Sequence, residues 1–435
     1  MRKWIVFVTA VIFCLTSSAG YAATTQVDSL IKKLVDKGIL TDDEGEQLKS
    51  EVAYDEKNIR TENLKSDIPE WVQNLKVGGD FRGRIQTERR ESGAGASQGE
   101  RVRGRMRARI NLEEKVNDKA KVVVGIATDG GTNSSGNNPR SNNYTFSSNN
   151  SSTAFSKPWV VLNKAYGQYM PTTNLTLTAG KMDNPVWEPM EFLWDSDITP
   201  EGGTVQYKYR LNDVVDFFAM GSLFALGEFN PSTSDPFMYV GQFGATIKPN
   251  DKMDAKAVLS YNGYSNIKNG FSGGNANNTN GTNLIQTGTT ALKYDYSAPT
   301  VSAELGLNDP LGEDFPVYIP RIGVFGEYAN NPSPDKQNVA WMAGGYFGNS
   351  KVAGWKTWKA TAAYKVIGKD AWLDILPDSD FYGGATGVKG VESILEIGLA
   401  KNMSFALDYY TTRRIGSTVA KAPEHVIQYD FNWKF

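Results

Sequence analysis

Over its last twelve positions the chain alternates apolar and polar side chains almost without fault. Ile427, Tyr429, Phe431, Trp433 and Phe435 share one parity, and Gln428, Asp430, Asn432 and Lys434 the other, the period-two signature of a strand with one apolar and one wet face. The same period begins near Leu75. There Leu75, Val77, Phe81 and Ile85 alternate with Lys76, Asp80, Arg82, Arg84 and Gln86 in a strand predicted over 75–90. The next strand sets Arg101, Arg103, Arg105, Arg107 and Arg109 against Val102, Gly104, Met106, Ala108 and Ile110. Further strands are predicted over 119–128, 159–170, 174–183, 204–211, 214–226, 238–248, 253–264, 289–297 and 300–308, then over 320–329, 339–348, 355–366, 390–401, 403–411 and 424–435.

The links between them are of two kinds. Asn117-Asp118, 171–174, Asn212-Asp213, 249–252 and Lys401-Asn402 are tight turns, whereas 129–158, 227–237, 265–287 and 367–389 are long, polar and rich in Asn, Ser and Gly. That contrast predicts an all-β chain folded as a transmembrane antiparallel β-barrel with short turns at one end and long loops at the other. The pattern yields seventeen strands, and a bacterial single-chain barrel has an even number. One is therefore surplus, expected between Pro310 and Gly390 where short and long links cease to alternate. About sixteen strands is the expectation, with eighteen as the next choice.

Residues 25–65 follow a different period. Val27, Leu30, Ile31, Leu34 and Val35 have helical spacing; the helix is expected to stop near Lys37-Gly38, and Thr41 with Glu44 forms a capping box that restarts a helix through Leu48 and Val52. Ahead of it, Arg2 and Lys3 precede an apolar run from Trp4 to Leu15, and Ala19-Gly20-Tyr21-Ala22 offers a small-residue cleavage pattern. The division read from the chain is a secretory signal over 1–22, a periplasmic helical, coiled-coil-like segment over 23–70 and a barrel over 71–435. The apolar run falls short of the roughly twenty residues a membrane helix needs. The single cysteine, Cys14, lies inside it, so the processed chain offers no disulfide, zinc thiolate or cysteine nucleophile.

Composition fits this class. Mean hydropathy is -0.41, and the 43 glycines, 20 tyrosines, 20 phenylalanines and 10 tryptophans suit strands that carry apolar residues on one face and aromatic girdles at the interfaces. The net charge of -2, without a basic tail, gives no reason to expect nucleic acid. Enzyme chemistry finds little support: the one histidine, His425, shares the parity of the apolar face, and no phosphate-binding loop or haem-attachment motif occurs. No cofactor is implied. Asp370, Asp374, Asp378 and Asp380 are read as a solvated outer loop rather than as ligands of a divalent cation.

The arginine stripe carries the most chemistry. Each guanidinium on the lipid face near the midplane would cost roughly 2–4 kcal/mol, so the row faces the interior. There it either lines an aqueous passage or serves as scaffolding paired with Asp80, Glu88 and Glu100.

Taken in order, the leader, the helical segment with Lys37-Gly38-Ile39-Leu40-Thr41, Pro69-Glu70-Trp71, Gly79-Asp80-Phe81-Arg82-Gly83-Arg84, the ladder from Arg103 to Arg109 and Asp197-Ile198-Thr199-Pro200-Glu201-Gly202 resemble a putative porin family of Gram-negative outer membranes. The resemblance covers nearly the whole chain. It implies a channel-forming, general-porin-like barrel of the outer membrane, commonly a homotrimer, and specifies no solute. The aromatic last strand is similar to the terminal strand such barrels present to the outer-membrane assembly machinery.

By position, residues 184–203 resemble the third loop of general porins, which folds inward. On that reading the acidic Glu188, Glu191, Asp195, Asp197 and Glu201 face the pore-lining Arg82, Arg84, Arg103, Arg105, Arg107 and Arg109 across a narrow gap, creating a transverse field. The competing reading is an outward loop pinned by Trp187, Phe192 and Trp194. The expected function is a water-filled channel for passive diffusion of small hydrophilic solutes and ions. The alternatives are a solute-specific, anion-preferring channel or a structural barrel that anchors the envelope through residues 25–65.

Overall fold

A computed structural model of the chain describes residues 30–37, 40–52, 69–91, 97–129, 139–147, 154–228, 234–270, 283–287, 289, 291–312, 318–416 and 423–435. The predicted signal peptide, with Cys14 and Val27, lies outside the described residues. Two units are distinguished, residues 1–74 and 75–435.

In the first unit, helices cover 30–36 and 42–52. The Thr41 amide donates to Glu44 Oε2 at 2.8 Å and the Glu44 amide donates to Thr41 Oγ1 at 3.3 Å, the reciprocal pattern of a capping box. Those bonds hold the Glu44 carboxyl below its ordinary range. The helices approach closely at Gly45, where a Cβ would lie 2.6 Å from Val35 Cγ2, and Ile31 is buried beside them.

The second unit is a closed antiparallel barrel. Its strands are β1 (Leu75–Glu91), β2 (Ser97–Asn117), β3 (Ala120–Asp129), β4 (Tyr144–Thr145), β5 (Trp159–Tyr169), β6 (Leu175–Lys181), β7 (Glu201–Arg210), β8 (Val215–Ala225) and β9 (Phe237–Asn250). They continue with β10 (Met253–Ser265), β11 (Ala298–Asn308), β12 (Arg321–Asn330), β13 (Val339–Gly348), β14 (Trp358–Ile367), β15 (Val388–Ala400), β16 (Met403–Arg414) and β17 (Glu424–Lys434). Wall strands adjacent in sequence pair with each other, and β1 pairs with β17 to close the ring. The two-residue β4 is not a wall strand; it returns from a loop to pair with β2 at Arg105 and Met106, beyond where β3 has left it. Sixteen strands form the wall, as the sequence pattern leads one to expect.

The surplus strand is the one predicted over 289–297, not one between Pro310 and Gly390. Only an isolated bridge, Ile285 to Leu292, occurs there among the described residues. The alternation that suggested a strand has another cause: Leu292 and Tyr296 are buried, and the Tyr296 hydroxyl donates to Asp370 at 2.7 Å. This stretch is loop, folded against other loops.

Parity sorts the wall as predicted. Phe81, Ile85, Val102, Leu223, Leu259 and Val324 are exposed on the outer face, while Arg84, Gln86, Glu88, Gln428 and Asp430 are buried on the inner one. Outward aromatics pair across neighbouring strands, as Phe81 does with Trp433 and Phe217 with Phe243. Such an apolar outer belt has no place on a soluble monomer. Two glycines of the motifs quoted above are dictated by backbone proximity. A Cβ at Gly79 would sit 2.1 Å from the Arg109 carbonyl, and Gly202, at φ +155°, approaches the Leu223 carbonyl equally closely.

Candidate functional site

The basic wall is built by β1 and β2, which pair in register so that Arg82 faces Arg107 and Arg84 faces Arg105. Even positions of β1 and odd positions of β2 therefore project together into the barrel. Most of these cations meet carboxylates there. Arg103 lies 2.7 Å from Glu88, Arg107 3.0 Å from Asp80 and Arg109 2.7 Å from Asp80. Arg84 forms a side-on pair with Asp430, both bonds at 2.7 Å, and reaches Asp380 at 3.0 Å. Arg82 lies 3.6 Å from Asp430 and donates to Asn143 Oδ1 at 2.7 Å.

Opposite the arginines, residues 182–200 turn into the barrel. Asp197 meets Arg107 at 3.3 Å and Arg109 at 3.4 Å. Burial works against its charge, but Arg107, Arg82 and Arg109 outweigh it and hold the carboxyl below its ordinary range. The same loop spans to the far wall. Trp187 exchanges hydrogen bonds with Gln242 on β9, and the Lys365 ammonium on β14 donates to the Glu191 carbonyl at 2.6 Å.

A second loop, 368–387, folds in beside it. The Trp372 indole donates to the Leu193 carbonyl at 2.9 Å, the Asp195 amide to the Leu376 carbonyl at 2.7 Å and the Ser379 amide to Asp195 Oδ2 at 2.8 Å. Phe192, Leu193, Trp372, Leu373 and Phe381 are almost fully buried in one apolar cluster with wall residues such as Met238, Phe325 and Ile367. The expectation that Asp370, Asp374, Asp378 and Asp380 form a solvated outer loop is therefore incorrect. Asp370, Asp374 and Asp378 are at most 4% exposed; Asp370 accepts from Tyr296, Asp374 from the Asn283 amide, and Asp380 pairs with Arg84. The loop's apolar residues, Trp372, Leu373 and Leu376, drive it inward, and the aspartates are satisfied by polar groups already there.

Each acidic residue of the first loop has its own setting. Asp197 alone among Glu188, Glu191, Asp195, Asp197 and Glu201 forms ion pairs with the arginine wall among the described residues. Glu188 Oε2 accepts from the Leu193 amide, and its carboxyl is pushed well up by burial and by Glu327. Glu191, Asp195 and Asp378 bring carboxylate oxygens within 4.8 Å of one another; burial, then mutual repulsion, raises the Glu191 and Asp195 carboxyls well above the ordinary range. That spacing suits a hard cation, yet Lys365 already lies 3.3 Å from Asp378, and the Ser196 and Ser379 amides donate to Glu191 and Asp195. Glu201 stands apart: it opens β7 and pairs at 2.8 Å with Lys181 across the strand pair, away from the arginine wall.

Among the expected scaffolding partners, Asp80 and Glu88 pair with the ladder, whereas Glu100 is exposed with no ion pair among those described. Sequence reasoning missed Asp430, Asp380, Arg140 and Lys365. Asp430 has inward parity, and register Arg84 to Asp430 across the closing strands would have identified it. Arg140 donates to the carbonyls of Asp374 and Gly384, and no periodicity marks such a loop residue. His425 faces outward, hydrogen-bonded to the Tyr409 hydroxyl and stacked on its ring.

Residues 95–304 and 323–435 match the family described as "Putative porin". The chain belongs to the putative porin family. Its fold is also that of OprB of Pseudomonas putida, solved at high pH, with a TM-score of 0.51 at 10% identity over 88% of this chain and 97% of that one. The outer-membrane channel DcaP of Acinetobacter baumannii gives 0.44 at 14% identity, over 83% and 97% of the two chains. A mutant of Rh. blastica porin gives 0.41 at 10%, over 83% and 100%. No curated protein is significantly similar to the chain. The protein is thus an outer-membrane β-barrel of porin type, and the apolar outer face is the one that meets lipid.

Proposed function

We propose that this porin is a passive channel for small hydrophilic solutes and ions, and that its aqueous route runs along the arginine wall. One observation carries the reading. The array of Asp80, Arg107, Arg109 and Asp197 keeps its side chains 9–26% exposed inside the barrel, whereas Trp372 and Phe192 of the apolar loop cluster are 0% exposed. Opposed charges flanking a narrow wet strip orient dipolar solutes and set ion preference.

The supporting parts follow the same reading. Residues 1–22 direct secretion, 23–70 form a periplasmic helical segment, the last strand engages the assembly machinery, and the barrel associates as a homotrimer; the chain is not an enzyme. Cross-linking in native membranes, with a ladder ending at three subunits, is the expected sign of that assembly.

Planar-bilayer recording tests the channel itself. A steady current linear in salt is expected, and Asp80→Asn, which removes one carboxylate from the strip, is expected to shift the reversal potential under a salt gradient toward anions. A saturable, solute-blocked current instead marks a solute-specific channel. No conductance from correctly folded protein overturns the reading and favours a barrel whose packed interior serves to anchor the envelope.

A further inference from the structure

The lipid-facing wall of such a barrel is apolar at mid-height and aromatic where it reaches the headgroups. At the end with the long loops, Tyr239 on β9, Tyr261 on β10, Tyr328 on β12 and Trp341 on β13 follow this rule and are exposed. Four strands that are consecutive around the ring do not. Near the same end, β15, β16, β17 and β1 carry Lys389, Arg413, His425 and Arg89. All four are odd-numbered, and odd positions of these strands face outward: Ile85, Leu395 and Phe431 are exposed there, and Phe405 packs against Phe431.

Register brings the four groups together. Arg89 faces His425 across the closing strands, His425 faces Thr411, and two residues further along Arg413 faces Lys389. Like charges set directly opposite each other weaken a strand pair, and neither Lys389 nor Arg413 has an ion pair among the described residues. The nearest carboxylates of β15 and β17, Glu392 and Glu424, are buried on the inner face, so the sheet separates them from this surface. Among the described side chains Glu100 alone shares the face at this end, standing across β1 and β2 from Arg89. His425 is held in place: its ring stacks on Tyr409 and its Nδ1 shares a hydrogen bond with the Tyr409 hydroxyl at 2.9 Å. Its Nε2 is left to meet the headgroup layer.

We propose that Lys389, Arg413, His425 and Arg89 form a docking surface for the phosphate groups of an outer-leaflet lipid, a phosphorylated glycolipid of the lipid A kind. Charge is tolerated on the outer wall near the interface, and basic clusters at that depth hold anionic lipid. The opposition of Lys389 and Arg413 selects the sign of the occupant, since a phosphate seated between them turns a repulsion into a bridge, and the arginine fork supplies paired donors to its oxygens. The surface lies outside the lumen, so the proposal stands or falls independently of conduction.

The test uses delipidated full-length protein in a neutral detergent, titrated with bisphosphorylated lipid A, with the same lipid stripped of its phosphates and with inorganic phosphate. Wild type is expected to bind the bisphosphorylated lipid best and to gain thermal stability from it, because a ligand that binds only the folded state raises Tm. Lys389→Gln combined with Arg413→Gln is expected to weaken that binding by about 30-fold, roughly fivefold for each cation removed, and to lose most of the lipid-induced rise in Tm. Without lipid the double variant is expected to melt no lower than wild type, because a repulsion has been removed. Lys401→Gln, in the turn at the other end of the β15–β16 hairpin, is expected to bind as wild type does. Equal affinity of wild type and double variant, or of the lipid with and without its phosphates, overturns the proposal. Inorganic phosphate bound as tightly as the lipid marks a free-anion site and overturns it too, as does capture of a second subunit by a short photo-cross-linker at Arg413→Cys, which marks an interface between copies of the chain.

Discussion

Trp372→Ala is expected to raise single-channel conductance several-fold and to make residues 182–200 and 368–387 accessible to protease, while the barrel itself stays folded. Trp372 is 0% exposed, packs with Phe192, Leu193 and Phe381, and donates its indole N–H to the Leu193 carbonyl. Truncation removes the largest side chain at the junction of the two inward loops and orphans a buried carbonyl. For a buried tryptophan such a loss costs about 3–5 kcal/mol. The cost falls on the loop pair, because the barrel closes through backbone ladders that do not involve Trp372. Trp341→Ala, which deletes an outward aromatic of β13, leaves the loops closed. If Trp372→Ala conducts and resists protease as wild type does, the apolar cluster is not what holds the loops inside.

Raising the pH is expected to loosen the same loop pair, and lowering it to tighten it. Glu191 and Asp195 of one loop face Asp378 of the other, and burial raises all three carboxyls above their ordinary range. A carboxyl with a raised folded-state pKa keeps its proton in the native state after the unfolded chain has lost it. Native stability therefore falls with pH once the pH exceeds the ordinary carboxyl value of about 4, and continues to fall until the raised value is passed. Lys365 beside Asp378, and the Ser196 and Ser379 amides, offset the repulsion in part. Proteolysis rates of the loops, measured from acid to alkaline pH, should rise with pH. The double substitution Glu191→Gln and Asp195→Asn, which keeps the shapes and removes the titration, should flatten that profile. A wild-type profile that is already flat excludes the carboxylate trio as a pH-sensitive contact.

Much of the barrel was legible because its period is short and its penalty for error is large. A one-residue slip would place Arg82, Arg84 and the β2 arginines in lipid, so parity on β1, β2 and β17 is unambiguous. The capping box at Thr41 and Glu44 was equally plain. Loops were not, since their residues answer to partners far away in the chain. Thr289 to Ser297 alternates like a strand only because Leu292 and Tyr296 both turn toward buried neighbours. The aspartates after Lys369 look solvated until Trp372, Leu373 and Leu376 are seen to carry them inside. The pairing of Asp197 with Arg107 and Arg109 follows from an inward loop, whereas the grouping of Glu191 and Asp195 with Asp378 needs the second loop, which no local pattern announces.

The side-on pair between Arg84 and Asp430 joins residues near opposite ends of the chain, on the first and last strands. Until synthesis and export are finished, Arg84 has no Asp430 to meet, so this contact is a late event of assembly by construction. A chain that lacks β17 would retain Asp380 as a carboxylate partner of Arg84 but would lack the side-on pair that fastens the first strand to the last.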